Sequence, residues 1–319
     1  MMDNDEQKNP NWERDLVNRL TFSAVNEQRR ARRWSIFFRS LTLIWLFSLI
    51  IIIYPASKEP FTKISGPHTA LVEIDGVIAA NTIANADNII TALRAAFENK
   101  QSKAVILRIN SPGGSPVQAG YVNDEIIRLR NKYPKKKLYA VITDICASGG
   151  YYIASAADEI YADKASIVGS IGVLMDGFGF VDTLQKLGVE RRLITAGKHK
   201  GFLDPFSPQK ESDVKHIQTM LDAIHKQFID TVKNGRGDKL VDNDELFSGY
   251  VWTGEKSIEL GLVDGLGSSS YVAREIVGEE KIVDYTLRPN YLDRFAERLG
   301  VAMANVLVTT LGIQSSLIK

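Results

Sequence analysis

Ser148 stands where a nucleophile would be expected. It follows Leu-Tyr-Ala-Val-Ile-Thr at 138–143, an apolar, β-prone run, and precedes Gly149-Gly150 and a helix-like stretch at 151–157 that is small on one face. A buried strand running into a helix start holds a serine at a sharp turn. Its hydroxyl then lies near backbone N–H groups and the positive end of the helix dipole. Acyl transfer needs such a setting, with an oxygen presented to a carbonyl and N–H donors for the oxyanion. A serine at a helix start can equally be a plain N-cap, and the setting alone does not choose. Attack at neutral pH also needs a base. Gly-x-Ser-x-Gly is absent, because Cys146 holds the first glycine position, which disfavours an α/β-hydrolase. Ser-x-x-Lys fails as well, since Tyr151 takes the fourth place. Of four histidines (His68, His199, His216, His225), only His199 has a loop-like, glycine-flanked setting, Gly197-Lys-His-Lys-Gly201. His216 and His225 fall in a long amphipathic stretch, so the base stays open on these grounds. Cys146 reads as a core residue.

The elements that must position Ser148 alternate in type. A strand pair is expected at 69–78 around Asp75-Gly76, then a helix at 88–99, a buried strand at 104–110, and a helix at 117–133 after Ser111-Pro-Gly-Gly-Ser115. Beyond the Ser148 turn come short β-like stretches at 159–162 and 166–175, a short helix at 182–187 and a strand at 191–195. A long amphipathic helix at 213–232 and further helix at 251–262 and 269–275 complete the pattern. Strands alternating with helices predict an α/β domain with a mainly parallel sheet.

Ahead of this domain lies a different kind of sequence. Residues 1–33 are polar and end in Arg29-Arg30-Ala31-Arg32-Arg33; residues 40–55 carry no charge. The stretch 34–55 has the length of a bilayer crossing, roughly 20 residues, with Trp34 and Tyr54 at its two ends. The arginines before it predict a cytoplasmic amino terminus, with everything after the anchor outside the cytoplasm. A cleaved signal peptide fits less well, because the polar region is long and no small-x-small site follows Tyr54. Residues 56–68 read as a linker, 69–290 as the catalytic domain and 291–319 as an amphipathic terminal segment. Across 319 residues the net charge is +1, which gives no sign of a nucleic-acid partner. A single cysteine excludes an internal disulfide framework and a cysteine-based metal site. The histidines lack metal-ligand spacing, and neither a cofactor nor a metal is expected.

Five stretches taken in order resemble the signal peptide peptidase A family of serine proteases. They are Arg108-Ile-Asn-Ser-Pro-Gly-Gly-Ser115, Ala147-Ser-Gly-Gly-Tyr-Tyr152, Ile167-Val-Gly-Ser-Ile-Gly-Val173, Lys198-His-Lys-Gly201 with Asp204-Pro-Phe206, and Val251-Trp-Thr-Gly254 with Leu260-Gly-Leu-Val-Asp264. The resemblance implies a ClpP/crotonase-like fold, a superhelix of repeated β-β-α units, in its short, single-repeat form. It also implies a serine–lysine dyad, with Ser148 as nucleophile and Lys200, not Lys198, as base. Ser170 would orient the lysine, and Gly114 and Gly149 would donate the oxyanion-hole N–H groups. The residue types suit those roles. A free lysine, pKa ~10.4, is protonated at neutral pH, so a base lysine must be buried away from acids, and a hydroxyl can hold it without recharging it. The expected activity is that of a membrane-anchored serine endopeptidase of a bacterial inner membrane, acting outside the cytoplasm on remnant signal peptides. In tandem relatives the resemblance implies that lysine and serine come from different repeats. A single-repeat chain would then share its sites between protomers of a ring. A crotonase-fold enzyme acting on an acyl thioester, or an inactive membrane scaffold, are the other readings.

Overall fold

The computed structural model describes residues 12–56 and 66–288. The expected terminal segment at 291–319 and most of the expected linker lie outside these residues. The chain divides into two units, Met1–Thr62 and Lys63–Lys319.

The described part of the first unit is one helix, α1 (Trp12–Ala56), of 45 residues. At 1.5 Å per residue it is about 67 Å long. Its middle carries an aromatic cluster in which Trp34 stacks on Phe38 and meets Phe37 edge-on. Trp34, Phe37, Phe38, Leu43, Ile44, Trp45 and Phe47 are all exposed. Among the described residues no helix is long and apolar enough to cross a membrane. The far end of the expected 34–55 span falls on residues whose side chains lie outside the described set.

The second unit is built on parallel strands. β1 (His68–Asp75), β2 (Ser102–Ser111) and β3 (Leu138–Ala147) pair in parallel. Helices α2 (Ala86–Glu98) and α3 (Pro116–Lys132) make the crossovers that parallel pairing requires. These strands are buried along most of their length, as a sheet covered on both faces must be. Local chemistry sets the helix ends. Asn85 caps α2, and Ser115 caps α3 ahead of Pro116 in the first turn. The Lys136 ammonium donates to the Phe97 and Asn99 carbonyls at 2.8 and 2.7 Å, closing the other end of α2.

Strand β3 changes partner along its length. Its first half pairs with β4 (Glu159–Ala162) and its second with β5 (Ile167–Gly169), the switch falling at Thr143-Asp144. One branch continues to β7 (Gly265–Leu266) and the other to β6 (Val251–Thr253), the one antiparallel neighbour among the described residues. β8 (Ile282–Asp284) lies beside β1, giving the order β6-β5-β3-β2-β1-β8. The fold is therefore mixed α/β, as the alternation of elements predicts. The helix α4 (Gly149–Ala154) follows β3 directly. The long helix α6 (Glu211–Arg236) matches the expected amphipathic stretch, and the short α5 (Val181–Lys186) precedes it.

Three expectations differ from the structure. No hairpin forms around Asp75-Gly76, because β1 already has β2 and β8 on its two edges; beyond Gly76, Ile78 makes only an isolated parallel bridge to Gly114. Residues 191–195 form no strand: the β-prone run pairs with no other strand among the described residues, all five residues are exposed, and Ile194 is 96% exposed. The expected helix at 251–262 is split: β6 pairs with β5, and Thr253 then caps α7 (Gly254–Glu259).

Candidate active site

Ser148 links β3 to α4 with φ 51° and ψ −121°. A non-glycine residue with this φ is strained by about 1–3 kcal/mol and persists only where its surroundings hold it. Several contacts do so. Ser148 N donates to Gly169 O at 2.8 Å. On α4 the Tyr151 hydroxyl donates to Leu262 O at 2.7 Å, and Asn123 Nδ2 donates to Tyr152 O at 2.8 Å. Gly150 packs so closely that an added Cβ would lie 3.1 Å from Ser111 O. The Ser148 hydroxyl makes no cap bond to the helix. This removes the N-cap explanation for the residue.

Two backbone donors lie beside it. Gly113 and Gly114 have φ of +100° and +147°. A Cβ added to Gly113 would sit 2.8 Å from Ser148 Cβ and 2.7 Å from Gly149 N; one on Gly114 would clash with the Ile78 carbonyl. Glycine is required at both, for its conformation and for the close approach. Neither Gly114 N nor Gly149 N donates to a partner among the described residues. An orphan N–H pair beside the hydroxyl of a half-buried serine is the arrangement that receives a developing oxyanion. With only six residues in α4, the N–H groups rather than a long helix dipole carry this effect.

Ser170 is the strand neighbour of Ser148. Ala147 pairs with Gly169, so the two serines leave adjacent strands side by side, each with φ 51°. Ser170 N donates to Tyr250 O at 2.7 Å. Trp252 packs beneath, its Cδ1 3.2 Å from where a Gly169 Cβ would stand, and its Nε1 is buried without a partner among the described residues.

The structure thus brings together Ser148, Ser170, Gly114 and Gly149. Lys200 is not part of this group within one chain. It lies in a turn closed by Lys200 N donating to Gly197 O at 3.1 Å, its side chain exposed and making no hydrogen bond to Ser148 or Ser170. Lys198 and His199 instead line a cleft of about 650 Å³ between residues 175–210 and α6, where His199 Nδ1 is 3.5 Å from the buried Asp213 carboxylate. Burial pushes the Cys146 thiol well up, so it stays neutral and is no rival nucleophile. Ser111, at the end of β2, was not assigned a role by the sequence, although it begins the Ser-Pro-Gly-Gly run; its hydroxyl accepts from Gly113 N at 3.1 Å.

Residues 130–282 match peptidase family S49. A putative protease of Synechocystis sp. is 33% identical over 209 residues, which cover 66% of this chain and 73% of that protein. The chain belongs to peptidase family S49, the signal peptide peptidase A family. A putative signal peptide peptidase SppA of Enterococcus faecium is 31% identical over 203 residues, 64% of this chain and 58% of that protein. A protein of Brucella abortus named Na(+)/H(+) antiporter NhaA is 48% identical over 188 residues, 59% of this chain but only 25% of that protein. Ser148, Ser170 and Lys200 fall inside the family match, whereas Gly114 precedes it.

Proposed function

We propose that the protein is a serine endopeptidase in which Ser148 is the nucleophile and Lys200 the general base. The observation that carries this reading is Ser148 itself, a strained, uncapped hydroxyl flanked by the unpartnered N–H groups of Gly114 and Gly149. Neutral Lys200 takes the Ser148 proton as Oγ attacks the scissile carbonyl. The oxyanion accepts from Gly114 and Gly149 N–H, and losing one such donor typically costs ~3–4 kcal/mol. The intermediate collapses as Lys200 returns its proton to the leaving amine. Water, deprotonated by the same lysine, then hydrolyses the acyl-enzyme. Ser170, beside Ser148, is suited to hold the lysine amine by its hydroxyl.

A base lysine must be desolvated to lose its charge. Lys200 is exposed, so in this reading its cover comes from a neighbouring copy, and the protein works as a ring with sites shared between protomers. The finer fold assignment, a ClpP/crotonase-like superhelix, is consistent with the partner switch along β3. We also read α1 as carrying a single-pass anchor at 34–55. Its exposed aromatic and aliphatic side chains and the preceding arginines favour a bacterial inner membrane, amino terminus cytoplasmic and catalytic unit outside. Extended, apolar remnant signal peptides are the substrate class that this setting suits.

A fluorophosphonate probe tests the central claim. It should label the wild type at Ser148 and fail on Ser148→Ala; an unlabelled wild type would return the field to an acyl-thioester enzyme or an inactive scaffold. Reporter fusions test the anchor. A reporter joined after residue 70 should be active only when exported and one before residue 30 only in the cytoplasm, and the reverse pattern would overturn the orientation.

A further inference from the structure

The peptide joining Gly113 and Gly114 carries both the Gly113 carbonyl and the Gly114 N–H, which point in opposite directions across its plane. Gly113 O accepts from Ile78 N at 2.9 Å. Gly114 N–H is therefore turned away from Ile78, and Gly149 lies close by: a Cβ added to Gly149 would sit 3.3 Å from Gly114 N. Glycines at φ +100° and +147° offer little intrinsic resistance to a flip of this peptide. A flip would put a carbonyl acceptor where the donor belongs.

The side chain that braces this turn is Ser111. It is fully buried at the end of β2. Its hydroxyl donates to Gly76 O at 2.6 Å and accepts from Gly113 N at 3.1 Å, so one group ties the loop after β1 to the glycine turn. Its backbone and Cβ also meet Gly150, 3.1 and 3.5 Å from an added Cβ there. One residue thus touches both the segment bearing Gly114 and the helix turn that begins with Gly149. Resting on the serine-peptidase reading above, we infer that Ser111 is a positioning residue for the reaction. Acting through Gly113, it keeps the Gly114 N–H aimed at the oxyanion without itself touching substrate.

The test uses the full-length protein, a fluorogenic peptide that the wild type cleaves, and a peptide boronate whose boron bonds Ser148 Oγ and places a tetrahedral B–O⁻ in the hole. Ser111→Ala removes the hydroxyl; Ser111→Cys keeps its approximate volume but is a poor donor and acceptor. Both variants should lose about 10–100-fold in kcat with KM within about two-fold, as misplaced rather than missing catalytic groups do. Boronate inhibition should weaken by a similar factor. Melting midpoints are recorded alongside, and if the Ala variant does not fold the Cys variant decides. A folded variant with wild-type kcat, or with its loss confined to KM, overturns the assignment. Failure of the underlying peptidase reading looks different: the wild type would neither cleave the peptide nor bind the boronate, or Ser148→Ala would stay active.

Discussion

Lys198 and Lys200 differ by two positions in one turn, yet the mechanism needs only one of them. Lys198 lines the cleft with His199, whereas Lys200 does not. Lys200→Ala should lower kcat at least 10³-fold, because a hydroxyl without its base is a poor nucleophile, while Lys198→Ala should keep most of the rate. Initial rates on a fluorogenic peptide decide it, and equal losses would sink the choice. Ser148 was legible from sequence because a strand, a Gly-Gly pair and a small-faced helix surround it. Its φ of 51° was not, since backbone strain at one residue leaves no trace in composition. Ser111 was missed for a related reason. A buried serine that bonds backbone on two sides looks, as letters, like any turn serine.

At the scale of elements, the parallel core could be read from sequence because β1, β2 and β3 each carry an apolar run and are separated by helical periodicity. Edge behaviour could not, since it depends on which neighbours are already in place. That is why β6, which pairs with β5, interrupts an expected helix, and why the β-prone letters of 191–195 did not foretell an unpaired segment. The attachment of α6 to the sheet was likewise invisible. Arg236, 1% exposed, donates to Asp264 at 2.8 and 3.1 Å, and Asp264 accepts from Ile160 N of β4 at 2.7 Å. Lys239 adds a bond at 2.6 Å. Burial pushes the Asp264 carboxyl up, but the bonds from Arg236, Lys239 and Ile160 together outweigh it and hold the group below the usual carboxylate range. A depressed carboxyl contributes stability that is full above its unfolded pKa, ~3.9, and lost as pH falls through the lower folded value. Asp264→Asn should therefore cost about 3–5 kcal/mol at pH 7 by leaving Arg236 buried without its counter-charge. The variant should also lose part of the wild type's decline below about pH 4. Urea titrations at pH 7 and pH 3 measure both; an unchanged midpoint at pH 7 would show that the pair does not hold α6.

At the scale of the whole molecule, two apolar surfaces stand exposed among the described residues. One is the apolar part of α1. The other is the segment between β5 and α6, where Leu174, Phe178, Leu187 and Ile194 are 80, 79, 70 and 96% exposed. Apolar exposure on this scale marks interaction surfaces. The second segment also carries Lys200, exposed and unbonded to the Ser148 group. Order along the chain says nothing of that separation; only the resemblance, in which lysine and serine come from different repeats, implied it. In the reading proposed above, a site completed in trans requires head-to-tail contacts, which form a ring where the rotation between copies closes. The consequence is quantitative. Ser148→Ala chains keep the lysine and Lys200→Ala chains keep the serine, so each homogeneous ring is inactive. Mixed in equal amounts before assembly, a site is intact only when its serine comes from a Lys200→Ala chain and its lysine from a Ser148→Ala neighbour. Each condition holds half the time, so roughly a quarter of wild-type activity should return. The measurement is peptide cleavage by co-expressed, co-purified variants against wild type at equal total chain. Activity near a quarter is expected, and mixed rings with none would mean that each chain builds its own dyad by folding residues 172–210 back onto Ser148.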